Sequence, residues 1–327
     1  MKKLIGFFLG AMVLLSVFSF TGCRSEKQET LSIGLGLYTS AEASDATEDK
    51  NGNGLASVTA AAVLLDSNNR IIACVLDCAE SSVSYTANGK ALATESFLTK
   101  REQGDAYGMK AYGGAIKEWY EQANAFGALA VGKTAEEVKA LVTDDGKGNA
   151  EVIRAGCTIS VSDFAKAIDK AVQNALPTEA TAKDQLKLGA ATAQTTKDAE
   201  GDANGLNQIE TTFFAATTDG NGTVTGAYSD CVQVEFTFDT AGISKTGGSR
   251  IISSKRDARD SYGMKLYGGA AKEWYEQADV FDKACIGKTA REISSLLTED
   301  GHGAGGLQAA GCTILVDGFV KAASKIQ

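Results

Sequence analysis

Two kinds of hydrophobic pattern follow one another along the chain. Apolar runs come first, at 58–65 and 70–76, separated by an Asp/Asn/Ser turn at 66–69. Such runs around a short polar turn predict hairpins of an antiparallel sheet. The spacing then becomes helical, with apolar residues three or four positions apart from Ile116 and Trp119 onwards. Strands followed by helices indicate an α+β fold.

The same succession of patterns occurs again 155 residues further along the chain. Residues 100–172 and 255–327 align without a gap, and 39 of these 73 positions are identical. Strand-like runs also recur, at 209–217 and 223–228. A repeat of this length indicates two copies of a whole domain. We therefore expect an α+β protein of two tandem homologous domains, each an antiparallel sheet packed with helices.

The domain limits follow from this repeat. We place the first domain at 31–175, a linker at 176–185 and the second domain at 186–327. Pro177, the only proline, falls just after the last helical pattern of the first copy and marks the boundary. A chain of 327 residues is long enough for each domain to bury its own core.

The N-terminal segment has the pattern of an export signal. Two lysines precede an uncharged apolar run that ends in Gly22-Cys23, which predicts a signal peptide over 1–22. The Gly-Cys end resembles a bacterial lipobox, in which Cys23 is lipidated, and residues 23–30 would form a polar tether. An uncut spanning helix is the alternative. The expected location is the extracellular face of the cytoplasmic membrane, reached by a lipid anchor.

Charge narrows the range of partners. The formal net charge is −9, and removal of 1–22 leaves 30 basic against 41 acidic side chains, a charge of −11. An acidic surface disfavours nucleic acid and anionic lipid. Contact with the membrane is therefore expected through acyl chains alone.

Six cysteines remain besides the one in the lipobox. Cys78 and Cys157 have equivalents at Cys231 and Cys312 in the second copy. One disulfide per domain is therefore one hypothesis for an exported chain, and buried free thiols are the other.

The sequence Ala-Gly-Cys-Thr occurs once in each copy and ends at Thr158 and Thr313. A helical apolar pattern follows each, so we predict a turn at Gly156 and Gly311 that opens a helix, with the threonine at its N-terminal end. Unpaired N–H groups and the helix dipole there would attract a phosphate. A helix-capping threonine without a cofactor is the alternative.

This motif resembles the flavinylation motif Ser/Thr-Gly-Ala-Ser/Thr of the FMN-binding domain family. In that family a Mg-dependent flavin transferase moves FMN from FAD onto the last hydroxyl residue, through a phosphoester bond. The resemblance implies two covalent FMN groups, one on Thr158 and one on Thr313. The departures from the motif are Ala155 and Ala310 for its first hydroxyl residue, and Cys157 and Cys312 for its alanine.

The blocks Tyr-Gly-Met-Lys and Lys-Glu-Trp-Tyr-Glu-Gln, in both copies behind a lipobox, resemble PplA-type lipoproteins of Gram-positive bacteria. The resemblance implies an electron carrier between a membrane quinone-linked donor and an extracellular acceptor. Gln122 and Gln277 would donate to flavin carbonyls or lie on a solvated face. The side chains expected against the flavin ring are Tyr107, Tyr262, Met109, Met264, Trp119 and Trp274, although periodicity alone favours the two tryptophans as core anchors.

The content of catalytic residues favours a carrier over an enzyme. The single histidine, His302, aligns with Lys147, so a duplicated function cannot depend on a histidine. This removes most triad, Cys–His and zinc chemistry, and we expect no catalytic residue and no metal. Two alternatives stay open: a ligand-binding or adhesive lipoprotein without flavin, and an extracellular flavin-dependent reductase.

Overall fold

The computed structural model describes residues 30–326. The predicted signal peptide, the lipidation site Cys23 and the tether up to residue 29 lie outside these residues. Within 30–326, no helix is both long enough and apolar enough to cross a membrane.

Each half of the chain contributes three long strands and then short helices. The first half contains β1 (Ser32–Ser44), β2 (Gly52–Leu65), β3 (Ile71–Tyr85), β4 (Ala91–Leu92), α1 (Lys100–Gln103), α2 (Trp119–Ala130), α3 (Ala135–Lys139), α4 (Ala150–Arg154) and α5 (Ser162–Gln173). The second half contains β5 (Leu176–Pro177), β6 (Gln185–Lys197), β7 (Gly205–Thr218), β8 (Val224–Phe238), β9 (Arg250–Ile252), α6 (Lys255–Ala258), α7 (Trp274–Cys285), α8 (Ala290–Ile293) and α9 (Asp317–Ala323). Short 3₁₀ turns follow α1, α6 and α8, at Gly104–Tyr107, Arg259–Tyr262 and Ser294–Leu296.

The strands form two antiparallel sheets. The first has the order β4-β3-β2-β1-β5, with β9 also paired to β1, and the second has the order β6-β7-β8. The turn between β2 and β3 is the predicted one, because Asp66 Oδ1 accepts from the backbone N of Asn68 and Arg70 at 2.9 and 2.8 Å. Asn69 takes a left-handed φ of 58° there. The α+β class with antiparallel sheets packed against helices is therefore confirmed.

Both faces of the central strands are covered. In β2 every residue from 58 to 65 is buried, so this stretch lacks the polar alternation of a strand with one face in water. Ala61, Val63 and Leu65 face the helices of their own half, and Ala60 and Ala62 face the other sheet.

The two sheets pack face to face, which gives four layers in the order helices, sheet, sheet, helices. Strand β1 lies on β8 and β3 lies on β6, a reciprocal arrangement. One core cluster is shared by the two halves, with Leu35 and Leu37 beside Phe213 and Phe236. The rings of Tyr85 and Phe238 stack with centroids 4.2 Å apart. Each half also has its own cluster beneath its helices.

Small residues let the closing helices lie directly on the sheets. A Cβ added at Gly34 would be 1.9 Å from the carbonyl oxygen of Ala171 in α5, and one at Gly189 would be 2.1 Å from that of Ala322 in α9. Only glycine allows so close an approach.

Ion pairs tie each closing helix to the first helix of the other half. Lys170 of α5 pairs with Asp257 of α6, and Lys325, just after α9, pairs with Glu102 of α1 at 2.5 Å. The second pair lies 155 positions from the first at both ends, so the contact is reciprocal. Helices α1 and α6 are thus held by both halves.

Two details differ from the sequence prediction. Helix α2 begins at Trp119, and the earlier apolar positions do not belong to it: Ile116 is 94% exposed in the preceding loop. The Glu118 capping box fixes this start, because its side chain and that of Glu121 satisfy each other's backbone N–H groups. The segment predicted as a linker also contains β5, which pairs with the edge of the first sheet.

Candidate functional site

Each Ala-Gly-Cys-Thr motif forms a turn, which lies between α4 and α5 in the first half and before α9 in the second. Gly156 follows α4 with φ of 89°, and its equivalent Gly311 has φ of 96°, a region that favours glycine. The following threonines, Thr158 and Thr313, are both exposed to solvent.

The threonines do not lie at the N-terminus of a helix, so that prediction is wrong. Helix α5 begins at Ser162, four residues after Thr158. Before this helix, Ser160 forms a β-bridge with Lys147, and Val161 N donates to Gly146 O at 2.9 Å. The same bridge recurs in the second half, so a helix dipole cannot provide a phosphate seat at either threonine.

A buried glutamine positions each threonine. Gln122, on the inner face of α2, is 1% exposed, and its Oε1 accepts from Thr158 N at 2.8 Å and Thr158 Oγ1 at 3.2 Å. Gln277 accepts from Thr313 N and Oγ1 at 2.8 and 3.1 Å. Each glutamine also donates its Nε2 to a lysine carbonyl at 3.0 Å. The alternative of a solvated helix face is wrong, because both glutamines are buried.

A lysine supplies positive charge at each turn. Lys117 Nζ donates to Ala155 O at 3.0 Å, and Lys272 Nζ donates to Ala310 O at 2.7 Å. A Cβ at Gly156 would be 2.2 Å from Lys117 Nζ, so the glycine makes room for this contact. An ammonium group, and not a helix dipole, therefore provides the positive charge at each turn.

The Tyr-Gly-Met loop is anchored by the carboxylate that begins the next helix. Glu118 accepts from the backbone N of Met109 and Lys110 at 2.9 and 3.2 Å, and Gly108 takes φ of 80°. Glu273 makes the same two bonds in the second half. The loop thereby keeps its methionine on the buried side, against the core cluster that contains the tryptophan at the start of the helix.

A cavity of about 270 Å³ adjoins the second threonine turn. Its wall brings together the predicted Tyr262, Met264 and Trp274, with Ile314 directly after Thr313. Tyr107, Met109 and Trp119 pack together in the equivalent cluster of the first half. Both tryptophans are also core anchors, each with its ring centroid 5.6 Å from that of a phenylalanine of the closing helix.

The cysteines of the two motifs point into the core. Cys157 and Cys312 are fully buried, and burial raises the pKa of each thiol to about 11. All six cysteines between residues 30 and 326 are free, so the disulfide hypothesis is wrong and the free-thiol alternative is correct. Cys78 lies on the sheet within reach of the Ser57 and Thr59 hydroxyls.

Sequence reasoning missed the lysines of the site. Lys117 and Lys272 are identical in the two copies, so the repeat itself contained the signal. Lys100 and Lys255 were also identical, and Lys255 lines the cavity. In the part of the chain that the structure describes, no group of three His, Cys, Asp or Glu side chains is placed to hold a metal ion.

The residues present fit a phosphate-linked aromatic group. The fit rests on an exposed hydroxyl, an adjacent ammonium and an aromatic-lined cavity next to the same turn. Compared with known protein families, with curated proteins and with solved structures, the chain has no match.

Proposed function

We propose that the chain is a lipid-anchored surface flavoprotein that carries two covalent FMN groups, on Thr158 and Thr313. It relays electrons from a membrane quinone-linked donor to an extracellular acceptor. The observation that carries this proposal is the recurrence of one arrangement in both halves: an exposed threonine whose N–H and hydroxyl are held by a buried glutamine, at 2.8 Å and 3.1–3.2 Å. In this proposal the halves are tandem FMN-binding-type domains.

Each group of the site has a role in holding such a cofactor. FMN supplies reversible one- and two-electron chemistry when bound. The glutamine fixes the hydroxyl that is esterified, and Lys117 or Lys272 offsets the negative charge of the phosphate. The tyrosine, methionine and tryptophan of each half provide the apolar wall for the ring.

The exposure of the threonines bears on maturation. A separate flavin transferase has to reach the acceptor hydroxyl, and both hydroxyls lie on exposed turns. A phosphoester bond then keeps a soluble cofactor from diffusing out of a shallow site. With the chain held at the extracellular face of the cytoplasmic membrane through Cys23, the flavin rings would stay accessible to an electron acceptor.

One observation favours a second candidate, an extracellular flavin-dependent reductase. A further cavity of about 430 Å³ shares Lys255 and Tyr262 with the first cavity, and Arg250 lines it. Arg250 Nη1 is buried without a hydrogen-bond partner, which suits an anionic small acceptor. Turnover of small anionic acceptors by reduced protein, lost on Arg250→Met, would favour the reductase over the carrier.

Intact-mass analysis of protein produced together with a flavin transferase tests the proposal. We expect a mass gain of two FMN phosphoesters, and one fewer in each of Thr158→Ala and Thr313→Ala. Ser160→Ala is the matched control, because it removes a hydroxyl from the same exposed loop. Protein without any adduct would favour the flavin-free ligand-binding or adhesive lipoprotein, and adducts retained in both threonine variants would place the attachment elsewhere.

A further inference from the structure

A lysine lies beside the aromatic side chains of each site. Lys255 Nζ is 5.3 Å from the ring centroid of Tyr262 and 5.6 Å from that of Trp274. Lys100 Nζ is 5.0 Å from the ring centroid of Tyr107 and 5.9 Å from that of Trp119. Lys255 is 7% exposed and lines the 270 Å³ cavity, so its charge is largely removed from water.

Each lysine has a carboxylate partner, but the two partners come from different strands. Lys100 pairs with Glu80 of β3 at 2.7 Å, whereas Lys255 pairs with Glu210 of β7 at 3.0 Å. Strand β7 is the counterpart of β2, not of β3, so these two glutamates are not equivalent positions of the repeat.

The sheet register explains how both pairs form. Ser57 lies directly opposite Glu80 in the first sheet, and Glu210 lies directly opposite Gln233 in the second. These are equivalent cross-strand pairs of the two halves. The carboxylate stands on the third strand in the first half and on the second strand in the second half. Directly opposite residues share a face of the sheet, so either position reaches the same ammonium group. The ion pair recurs although neither glutamate does.

The lysines remain charged despite their burial. Burial lowers the pKa of Lys255, but the carboxylate of Glu210 opposes this effect and the pKa lies above its usual value. Burial and Glu80 act in the same opposed way on the pKa of Lys100, which is also raised. The backbone at Lys255 is also held by the other half, because Lys255 begins helix α6, whose Asp257 pairs with Lys170.

We infer that Lys100 and Lys255 are the cations that set the reduction potential of the flavin in each half, with Glu80 and Glu210 attenuating their effect. The inference rests on the proposed function. Reduced flavin gives up a ring proton near neutral pH and becomes an anion, so a cation next to the ring favours the reduced form. In a site sheltered from water this effect is stronger than in bulk solvent.

Potentiometric titration of a protein with a single flavin tests the inference. Thr158→Ala leaves only the flavin of the second half, and Lys255→Met is then introduced. The ratio of reduced to oxidised flavin at a given potential should fall at least tenfold, which is about 30 mV for a two-electron couple. Glu210→Gln should raise the potential, because the ammonium loses its counter-charge. Lys321→Met, which removes an exposed lysine of α9, is the control and should leave the potential unchanged.

Further variants separate charge from packing. Lys255→Arg keeps the cation and should retain the potential; an equal fall in the Met and Arg variants would overturn the inference. Thr313→Ala leaves only the flavin of the first half, and there Glu80→Gln should raise the reduction potential. Adding Ser57→Glu, which copies the arrangement of the second half, should reverse this rise. If the flavin adduct is complete but Lys255→Met leaves the reduction potential unchanged, the inference alone is overturned. If no adduct forms, the inference and the proposed function are overturned together.

Discussion

Replacing Gln122 by methionine removes the side chain that positions Thr158. Its amide accepts from Thr158 N and Oγ1 at 2.8 and 3.2 Å and donates to Lys117 O at 3.0 Å. A hydrogen bond contributes about 0.5–1.5 kcal/mol net, so three of them predict a loss of roughly 1.5–4.5 kcal/mol in the free energy of unfolding. Methionine is also unbranched and of similar length, so it leaves little additional cavity.

Urea unfolding measures this loss, and intact mass measures its effect on the site. Because Gln277 holds the other threonine, we expect the flavin adduct to fall at Thr158 and to persist at Thr313. Gln173→Met, at the exposed end of α5, is the matched control. If Gln122→Met loses no more stability than this control, or leaves the adduct on Thr158 complete, the positioning role of the glutamine is refuted.

Three further predictions concern stability and thiols. Gly156→Ala should cost about 1–3 kcal/mol because φ is 89° and the new Cβ would meet Lys117 Nζ at 2.2 Å; Gly220→Ala, which has open space, should cost far less in the same urea assay. Burial raises the pKa of Asp230 to about 6. Protonated Asp230 therefore contributes fully to the free energy of unfolding below about pH 4, and this contribution is lost as pH rises through 6. The free energy of unfolding of Asp230→Asn should then rise relative to wild type by up to about 3 kcal/mol across that range, and equal pH dependence of the two proteins would contradict this. In Cys23→Ser protein unfolded without reductant, six thiols should react with an alkylating reagent, and fewer would indicate a disulfide.

Much of the fold could be predicted because its signals are local. The turn at 66–69 follows from an aspartate that accepts hydrogen bonds from backbone N–H groups two and four residues ahead, and apolar runs flank it on both sides. The run 58–65, in which Thr59 is the single polar residue, also indicated a strand covered on both faces. What covers the second face is the other half of the chain, and a local pattern does not identify a distant partner.

The candidate site also has a part that the sequence predicted and a part that it did not. The repeat pointed to the threonines and to the tyrosine, methionine and tryptophan of each half, which the structure brings together. It could not show that Thr158 precedes its helix by four residues, because that spacing depends on a bridge between Ser160 and Lys147. Nor could it reveal the lysine–carboxylate pairs, since Glu80 and Glu210 occupy opposite members of equivalent cross-strand pairs rather than aligned positions.

The most direct test of the central claim is peptide mapping of the wild-type protein, taken from the membrane of the cell that makes it. The account predicts two modified peptides, each with FMN esterified to the last residue of Ala-Gly-Cys-Thr, at Thr158 and Thr313. It also predicts visible flavin absorbance that stays with the denatured chain. Unmodified peptides at both threonines, from colourless protein, would contradict the account.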